Sequence, residues 1–283
     1  MKVTSDCFQT ENLRELIDCT NFVFIGAGAG LSGAAGLLYF DLPTFQSWFP
    51  GYHEKYGLDY IYEAAFFDFP SKEEFYAYWA RHISTIRYRY PSGEPYLKLY
   101  ELIKHKNYFV ITTNVDGQFE KSGFDAERIY TPQGDYAFFQ CEKPCSQDLY
   151  YNRDMVYSML TGLTRDSFSI PKEKIPHCPR CGRLLIPNLR KDNRFVEEPW
   201  MKKQADLNHF LEKSRTKNLL LLELGVGFST PSIIRYPFEQ IAAEMENSVL
   251  FRINKDDVRK TIELPDKRFI SLKMDIKDFL AGL

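Results

Sequence analysis

The sequence predicts an α/β fold: a parallel sheet flanked by helices, with a smaller domain interrupting it. Three observations carry that prediction. An apolar run, Asn21-Phe22-Val23-Phe24-Ile25, stops at a glycine-rich loop. Further apolar runs at Tyr108–Thr112, Leu219–Leu224, Val249–Ile253 and Arg268–Leu272 alternate with segments of helical periodicity. Strands that alternate with helices make parallel βαβ units, and an unbroken run such as Leu219–Leu224 suits a strand buried on both faces. Finally, the alternation breaks twice, across 37–96 and across 141–187.

The elements follow in order. An amphipathic helix is expected over Glu11–Cys19, then the first strand and its loop. From Leu37 to about Tyr96 the texture changes. Trp48, Phe49, Tyr52, Tyr56, Tyr60, Tyr62, Phe66, Phe67, Phe69, Phe75, Tyr76, Tyr78 and Trp79 crowd a region of helical spacing with few β-branched residues. This reads as a helical insertion and accounts for much of the 16% aromatic content. A helix from Tyr96 to Lys104, the strand Tyr108–Thr112, a polar turn and a short helix to Lys121 resume the sheet pattern. After the second interruption, a helix is expected over Leu207–Ser214, then the last strands and a closing helix. The expected sheet domain comprises residues 1–36, 97–140 and 188–283, with the aromatic insertion at 37–96 and a cysteine module at 141–187.

At 283 residues and 44% hydrophobic content, the chain can fill a sizeable core, which excludes disorder as a description of the whole. Lys plus Arg number 36 against 38 Asp plus Glu, so the net charge of −2 gives no basis for nucleic-acid binding. Six cysteines are too few for a disulfide scaffold of this size, and a cytoplasmic location is expected. Met1–Asp18 mixes charges with apolar residues and lacks the pattern of an export signal. The nineteen uncharged residues Phe22–Phe40 are long enough to span a membrane. However, Gly26, Gly28, Gly30, Gly33 and Gly36 interrupt them at spacings that fit no helix-packing stripe, so no span is expected.

Three motifs carry chemistry. Gly28-Ala29-Gly30-Leu31-Ser32-Gly33 satisfies G-x-G-x-x-G directly after a strand, where backbone amides can approach a pyrophosphate. Its bland reading is a tight β-to-α turn without a ligand. A dehydrogenase would place an acid about twenty residues later at a strand end. Asp41 comes too early and Glu54 falls in the insertion. The second motif is Cys141-x3-Cys145 followed, after 32 residues, by Cys178-x2-Cys181. Two such knuckles supply four thiolates for a closed structural zinc site, although free thiols, a redox pair or a contribution from His177 remain open. Cys7 and Cys19 read as small apolar or incidental residues. The third motif is Thr112-Thr113-Asn114-Val115-Asp116 at a strand's carboxyl end, followed by Gln133-Gly134-Asp135. α/β sheets keep their sites at such ends, but Asn114 or Asp116 alone can equally cap the next helix.

In order, these motifs resemble the sirtuin family. The loop Gly28–Leu37 is similar to that family's G-A-G-I-S-x-A-x-G-I, Thr112–Asp116 to its T-Q-N-I-D, and the cysteine pairs to its zinc module. Gly225-Val226-Gly227-Phe228-Ser229 and Arg252-Ile253-Asn254 resemble its late G-T-S and I-N segments more loosely. The resemblance implies a Rossmann-type NAD-binding domain, a small domain of zinc module plus helical insertion, and cleavage of the nicotinamide–ribose bond. It implies NAD contacts from Gly28, Ala29, Gly30, Ser32, Gly33, Phe40, Thr112, Asn114, Val115, Asp116, Gln133, Gly225, Val226, Gly227 and Asn254. Zinc ligands would be Cys141, Cys145, Cys178 and Cys181, and catalytic roles would fall to Asn114, Asp116 and Gln133.

The departures narrow the expectation. Where the family has P-D-F-R, Leu38-Tyr39-Phe40-Asp41 keeps only Phe40. Where the family has H-G, with a histidine acting as general base in deacylation, the chain has Gln133-Gly134. Glutamine can hydrogen-bond a ribose hydroxyl but does not titrate near neutral pH, so it cannot take that proton. The family's peptide-pairing F-G-E is replaced by Arg190-Lys191-Asp192-Asn193-Arg194 after Pro187-Asn188-Leu189.

This combination resembles class M, the macrodomain-linked sirtuins, and implies an NAD-dependent protein mono-ADP-ribosyltransferase. The implied acceptor is a lipoylated carrier related to the glycine cleavage H protein, and a macrodomain protein is the implied reversing partner. Arg190, Lys191 and Arg194 would suit an acidic carrier, although a solvated loop is the plainer reading. The alternatives are an NAD-dependent lysine deacylase and a non-catalytic sensor of NAD or ADP-ribose.

Overall fold

The computed structural model describes residues 10–283, so the expectation for Cys7 lies outside the described residues. Among these residues the strands are β1 (Phe22–Ala27), β2 (Asn107–Thr112), β3 (Ile129–Tyr130), β4 (Gly134–Cys141), β5 (Tyr150–Tyr151), β6 (Leu185–Leu189), β7 (Leu219–Leu224), β8 (Ser248–Asn254) and β9 (Phe269–Lys273). The chain divides into two compact units. One contains the described residues up to Gly36 with Ser92–Gln133 and Trp200–Leu283, and the other contains Leu37–Pro91 and Gly134–Pro199.

In the first unit, six strands pair in parallel in the order β3-β2-β1-β7-β8-β9. Successive side chains of β1 alternate between its two faces. Val23, Ile25 and Ala27 join Leu220, Leu222 and Leu224 of β7 beneath the helices Leu13–Cys19, Glu94–Ile103 and Ile276–Ala281. Phe24, Leu219, Leu221 and Leu250 face the opposite side, packed with Leu207, Ile234 and Phe238. Every residue of β7 is buried, as its apolar run predicts, and each of its leucines contributes about 2 kcal/mol of hydrophobic stabilisation. Gly26 is required by this packing, because a Cβ there would overlap Ile234 and Phe238.

The strand order places the functional end of the sheet. The chain runs outward from β1 to β2 and β3, then returns to the other side of β1 at β7. The order therefore reverses between β1 and β7, and open α/β sheets bind ligands at the carboxyl ends of strands beside such a switch point. The loops leaving β1 and β7 begin at Gly28 and Gly225. The uncharged stretch Phe22–Phe40 supplies β1 and a six-residue helix, Ala29–Ala34. Among the described residues, no helix is long and apolar enough to cross a membrane.

The second unit carries the aromatic residues. Its helices include Leu42–Trp48, Lys72–Ile83 and Arg153–Leu160, and its antiparallel sheet runs β5-β4-β6. Phe45, Phe49, Tyr52, Tyr76, Tyr78 and Trp79 are fully buried, and Phe49, Tyr52 and Phe69 all pack against Tyr78. Most of the aromatic excess is thus the core of this unit. The unit boundaries differ from the expected ones at three places. Residues 134–140 and 188–199 belong to the second unit, because β4 pairs with β6 along Gly134–Cys141. Residues 92–96 belong to the first, because the helix expected to open at Tyr96 opens at Glu94, with Pro95 in its first turn.

Candidate active site and metal centre

The glycine loop is built by close approach to the end of β7. A Cβ on Gly28 would stand 2.6 Å from Gly225 O, and one on Gly30 would stand 2.7 Å from Gly225 Cα. Gly225 has φ +61°, and a Cβ there would lie 2.5 Å from Leu31 N. These three glycines let two backbones touch where side chains cannot fit. The amides of Gly28 and Gly30 are used in that contact, donating to Leu224 O and Gly225 O at 3.0 Å each. The expectation that the loop glycines present their amides to a pyrophosphate is corrected for these two, whose role is to seal the loop onto β7. A Cβ on Gly33 would meet nothing within 4 Å.

Beside this loop, the Thr112–Asp116 segment leaves β2 and is tied to β1. Thr112 Oγ1 donates to Ala27 O at 2.9 Å and accepts from Asn114 N at 3.1 Å. Asn114 is half-buried, and its Nδ2 donates to Gly28 O at 2.9 Å and to the Tyr96 hydroxyl at 3.2 Å. Asp116 is buried, accepting from Ser32 Oγ at 2.5 Å and from Gln118 N at 3.0 Å. The N-cap of the short helix Gln118–Lys121 is Gly117, so the capping reading of Asp116 is corrected: its carboxylate instead joins the first amide of that helix to the glycine-loop helix. Ser32 completes the circuit at 2.9 Å from the Tyr96 hydroxyl. Desolvation holds that phenol well above its ordinary pKa, and the nearby Asp116 carboxylate adds to the shift, so Tyr96 remains protonated.

The late segments sit on the same end of the sheet. Asn254, at the end of β8, donates to Val226 O at 2.9 Å and accepts from Asp256 N at 2.9 Å, so it pins the Gly225–Gly227 turn. Val226 is buried, and Gly227 has open space where a Cβ would be. Ala29 and Val115 lie in the glycine-loop helix and the β2 turn. Gln133 is half-buried at the end of the first unit's middle segment. In the second unit, Gly134 has φ +94° and approaches Asn188 O so closely that a Cβ would overlap it. Asp135 is held by Arg87 at 2.8 Å. Phe40, also in that unit, is 66% exposed and packs on Tyr62 at 5.0 Å. Asp41 caps the helix Leu42–Trp48.

The four late cysteines converge. Their Sγ atoms all lie within 4.8 Å of one another, with Cys141–Cys181 and Cys145–Cys178 at 3.6 Å. A tetrahedral ion with Zn–S bonds of about 2.3 Å sets its sulfurs about 3.8 Å apart, so the cluster fits zinc. His177 is not in the cluster, and its Nδ1 lies 2.7 Å from Ile175 O.

Sequence reasoning missed two features. Tyr96 gave no signal, because Tyr96, Leu99 and Ile103 form an ordinary buried helix stripe. Beneath the β7 and β8 ends lies a buried ionic network, in which Arg252 pairs with Glu223 and with Glu239 at 2.8 Å. Burial pushes the Glu223 carboxyl upward despite its partner. Only Glu223, the single charge in an apolar strand, hinted at it. The basic run follows the plainer of its two readings, an exposed loop. Arg190 pairs with Glu197 and Arg194 with Asp192, both at 2.6 Å, while Lys191 donates to Ala65 O and lies over the Phe66 and Trp79 rings. The run is tied to its own unit and does not form an open cationic patch.

No protein-family model matches the chain. It is 32% identical over 278 residues to a protein ADP-ribosyltransferase of Staphylococcus aureus, covering 96% of this chain and 86% of that one. It is 31% identical over 245 residues to a probable bifunctional ADP-ribose hydrolase/ADP-ribosyltransferase of Fusarium oxysporum f. sp. cubense, covering 83% of this chain and 40% of that longer protein. Among solved structures, a Sir2 homologue in complex with NAD matches with a TM-score of 0.56 at 16% identity, covering 97% of this chain and 92% of the other. A Sir2 protein bound to a propionylated peptide matches at 0.55 and 18%, covering 95% and 94%. The glycine loop, the Asn114–Asp116 turn and the four-thiolate cluster thus lie on a Sir2-like fold, and identity to a named transferase runs nearly end to end. The chain belongs to the sirtuin-type protein ADP-ribosyltransferase family.

Proposed function

We propose that this chain is an NAD-dependent protein mono-ADP-ribosyltransferase that releases nicotinamide and attaches ADP-ribose to a lipoylated carrier protein related to the glycine cleavage H protein. NAD supplies the activated nicotinamide–ribose bond. That C1′–nitrogen bond breaks, a bond from C1′ to the acceptor forms, and the acceptor's proton is released to solvent. Asn114 orients the attacking group beside the glycine loop. Asp116, fixed by Ser32 and Gln118 N, holds the nicotinamide amide or the ribose. Gly28 and Gly30 shape the loop, and Ala29, Ser32, Gly33, Thr112, Val115, Gly225, Val226, Gly227 and Asn254 line the cofactor. Zinc on the four cysteines fastens its module and leaves no coordination position for water.

One observation carries the choice of transfer over deacylation: the hydrogen-bond network around Asn114 and Asp116 is in place, while Gln133 stands where the family has its histidine. An amide can donate to and accept from a ribose hydroxyl but cannot act as the base that deacylation needs. The name of the Staphylococcus aureus relative supports the transferase reading. The fungal relative, named for both an ADP-ribose hydrolase and an ADP-ribosyltransferase, supports a reversing partner of the macrodomain kind.

The test is incubation with labelled NAD and lipoylated carrier. Label on the carrier with matching nicotinamide release is expected, and loss of both in Asn114→Ala. Binding of NAD without nicotinamide release would favour the sensor reading, and turnover only on acyl-lysine peptides would favour the deacylase.

A further inference from the structure

The chemistry of Asn114 depends on which way its amide faces, and the hydrogen bonds around it decide the question. Gly28 O can only accept, so the amide atom 2.9 Å from it is Nδ2. The second contact of Nδ2 is the Tyr96 hydroxyl at 3.2 Å. Both amide hydrogens are therefore committed. Further along, the Ser32 hydrogen is donated to the Asp116 carboxylate at 2.5 Å. Ser32 Oγ, 2.9 Å from the Tyr96 oxygen, must then accept the phenolic hydrogen. Each hydroxyl has one hydrogen, so a single polarity satisfies all four groups: Asn114 donates to Tyr96, Tyr96 to Ser32, and Ser32 to Asp116. The chain is drawn in one direction by the carboxylate at its end, and each bond polarises the next.

Tyr96 is well placed to hold this arrangement. It is fully buried, its ring packs edge-on against Phe119 at 4.9 Å, and its helix opens just after Gly93, whose amide donates to Gln118 Oε1 at 2.8 Å. An added Cβ at Gly93 would overlap Ala35, so the helix start is seated directly against the end of the glycine-loop helix.

We propose that Tyr96 is a positioning residue that locks the side-chain amide of Asn114 with both hydrogens turned inward and Oδ1 presented outward as an acceptor. The group that Asn114 orients must then be a hydrogen-bond donor: a water, an acceptor hydroxyl or a ribose hydroxyl. This rests on the proposed ADP-ribosyl transfer for its catalytic consequence, but the orientation of the amide does not.

The experiment therefore has two arms. In the free protein, nitrogen-15 NMR of the Asn114 side-chain amide is expected to show both hydrogens protected from exchange, with one losing protection in Tyr96→Phe. Free exchange of either hydrogen in the unaltered protein would overturn the proposal, whatever the enzyme's activity. In the kinetic arm, nicotinamide release from NAD by Tyr96→Phe is expected to show kcat reduced about tenfold or more, with KM for NAD changed less than about threefold, because a free amide samples the wrong flip. Ser32→Ala breaks the chain at its next link and is expected to give the same split. The double variant is then expected to fall no lower than the weaker single one. Unchanged kcat in a folded Tyr96→Phe protein, or strictly additive losses, would overturn it. Absence of nicotinamide release in the unaltered protein would defeat the transferase reading and leave the NMR arm to decide the orientation.

Discussion

Ser32 Oγ stands 2.5 Å from Asp116 Oδ2, joining residues 84 positions apart in the chain. This bond ties the helix after β1 to the turn after β2, the segments that leave the carboxyl ends of two neighbouring parallel strands. Both groups are buried, so removing either one strands a polar partner in the interior, at a cost of about 1–3 kcal/mol. Asp116→Ala is expected to lower stability by that amount in urea titration and to abolish NAD binding by calorimetry. Unchanged NAD affinity in the folded variant would remove Asp116 from the cofactor site.

The glycines of the loop differ in what they do, and substitution separates them. Gly225→Ala forces a side chain into φ +61° and against Leu31 N, and a loss of about 2–3 kcal/mol in unfolding free energy is expected. Gly33→Ala meets open space in a helix, where alanine is favoured by about 1 kcal/mol, so stability is expected to hold or rise while NAD binding weakens. Equal stability losses at the two positions would contradict this division.

Metal analysis of the purified chain is expected to give about one zinc per molecule, and Cys178→Ser to lose it together with the fold of its module. A metal-free chain with undiminished Tm would show that the four thiols serve another purpose.

Acid stability should report on His82. This residue is fully buried among Phe49, Trp79 and Tyr136, its Nδ1 lies 3.0 Å from the Tyr78 hydroxyl, and its Nε2 has no partner. Burial, with Lys191 adding repulsion, pushes its pKa down from 6.5 to about 3. The unfolded chain binds that proton first, so each pH unit below about 6.5 favours unfolding by about 1.4 kcal/mol until the folded imidazole also protonates near pH 3. His82→Phe is expected to flatten the fall in Tm between about pH 6.5 and about pH 5. Parallel curves for the two proteins would contradict a buried neutral imidazole.

The sequence made the sheet legible because its strands are bounded by abrupt changes in polarity. Leu219–Leu224 is found with its expected limits, and β1 differs from the expected run only by starting at Phe22 and continuing through Gly26 and Ala27. The cysteine cluster was legible from spacing alone, since two chelating pairs constrain the chain wherever the intervening 32 residues go. Tyr96 was not, because a buried tyrosine on a helix stripe looks the same whether its hydroxyl is idle or shared by Ser32 and Asn114. Nor was the sealing of Gly28 and Gly30 onto Gly225, a contact between segments nearly two hundred residues apart that no local pattern encodes. The loop at 190–194 was legible as a solvated one, but two of its ties were not, because Glu197 and Ala65 O meet Arg190 and Lys191 only once the chain is folded.

The central claim is that this chain transfers ADP-ribose and does not remove acyl groups. Its most direct test is intact mass spectrometry of lipoylated carrier protein incubated with the enzyme and NAD, with free nicotinamide measured in the same reaction. The account predicts a carrier heavier by one ADP-ribosyl group, in step with nicotinamide released. A carrier of unchanged mass, alongside an acyl-lysine peptide that loses its acyl group under the same conditions, would contradict it.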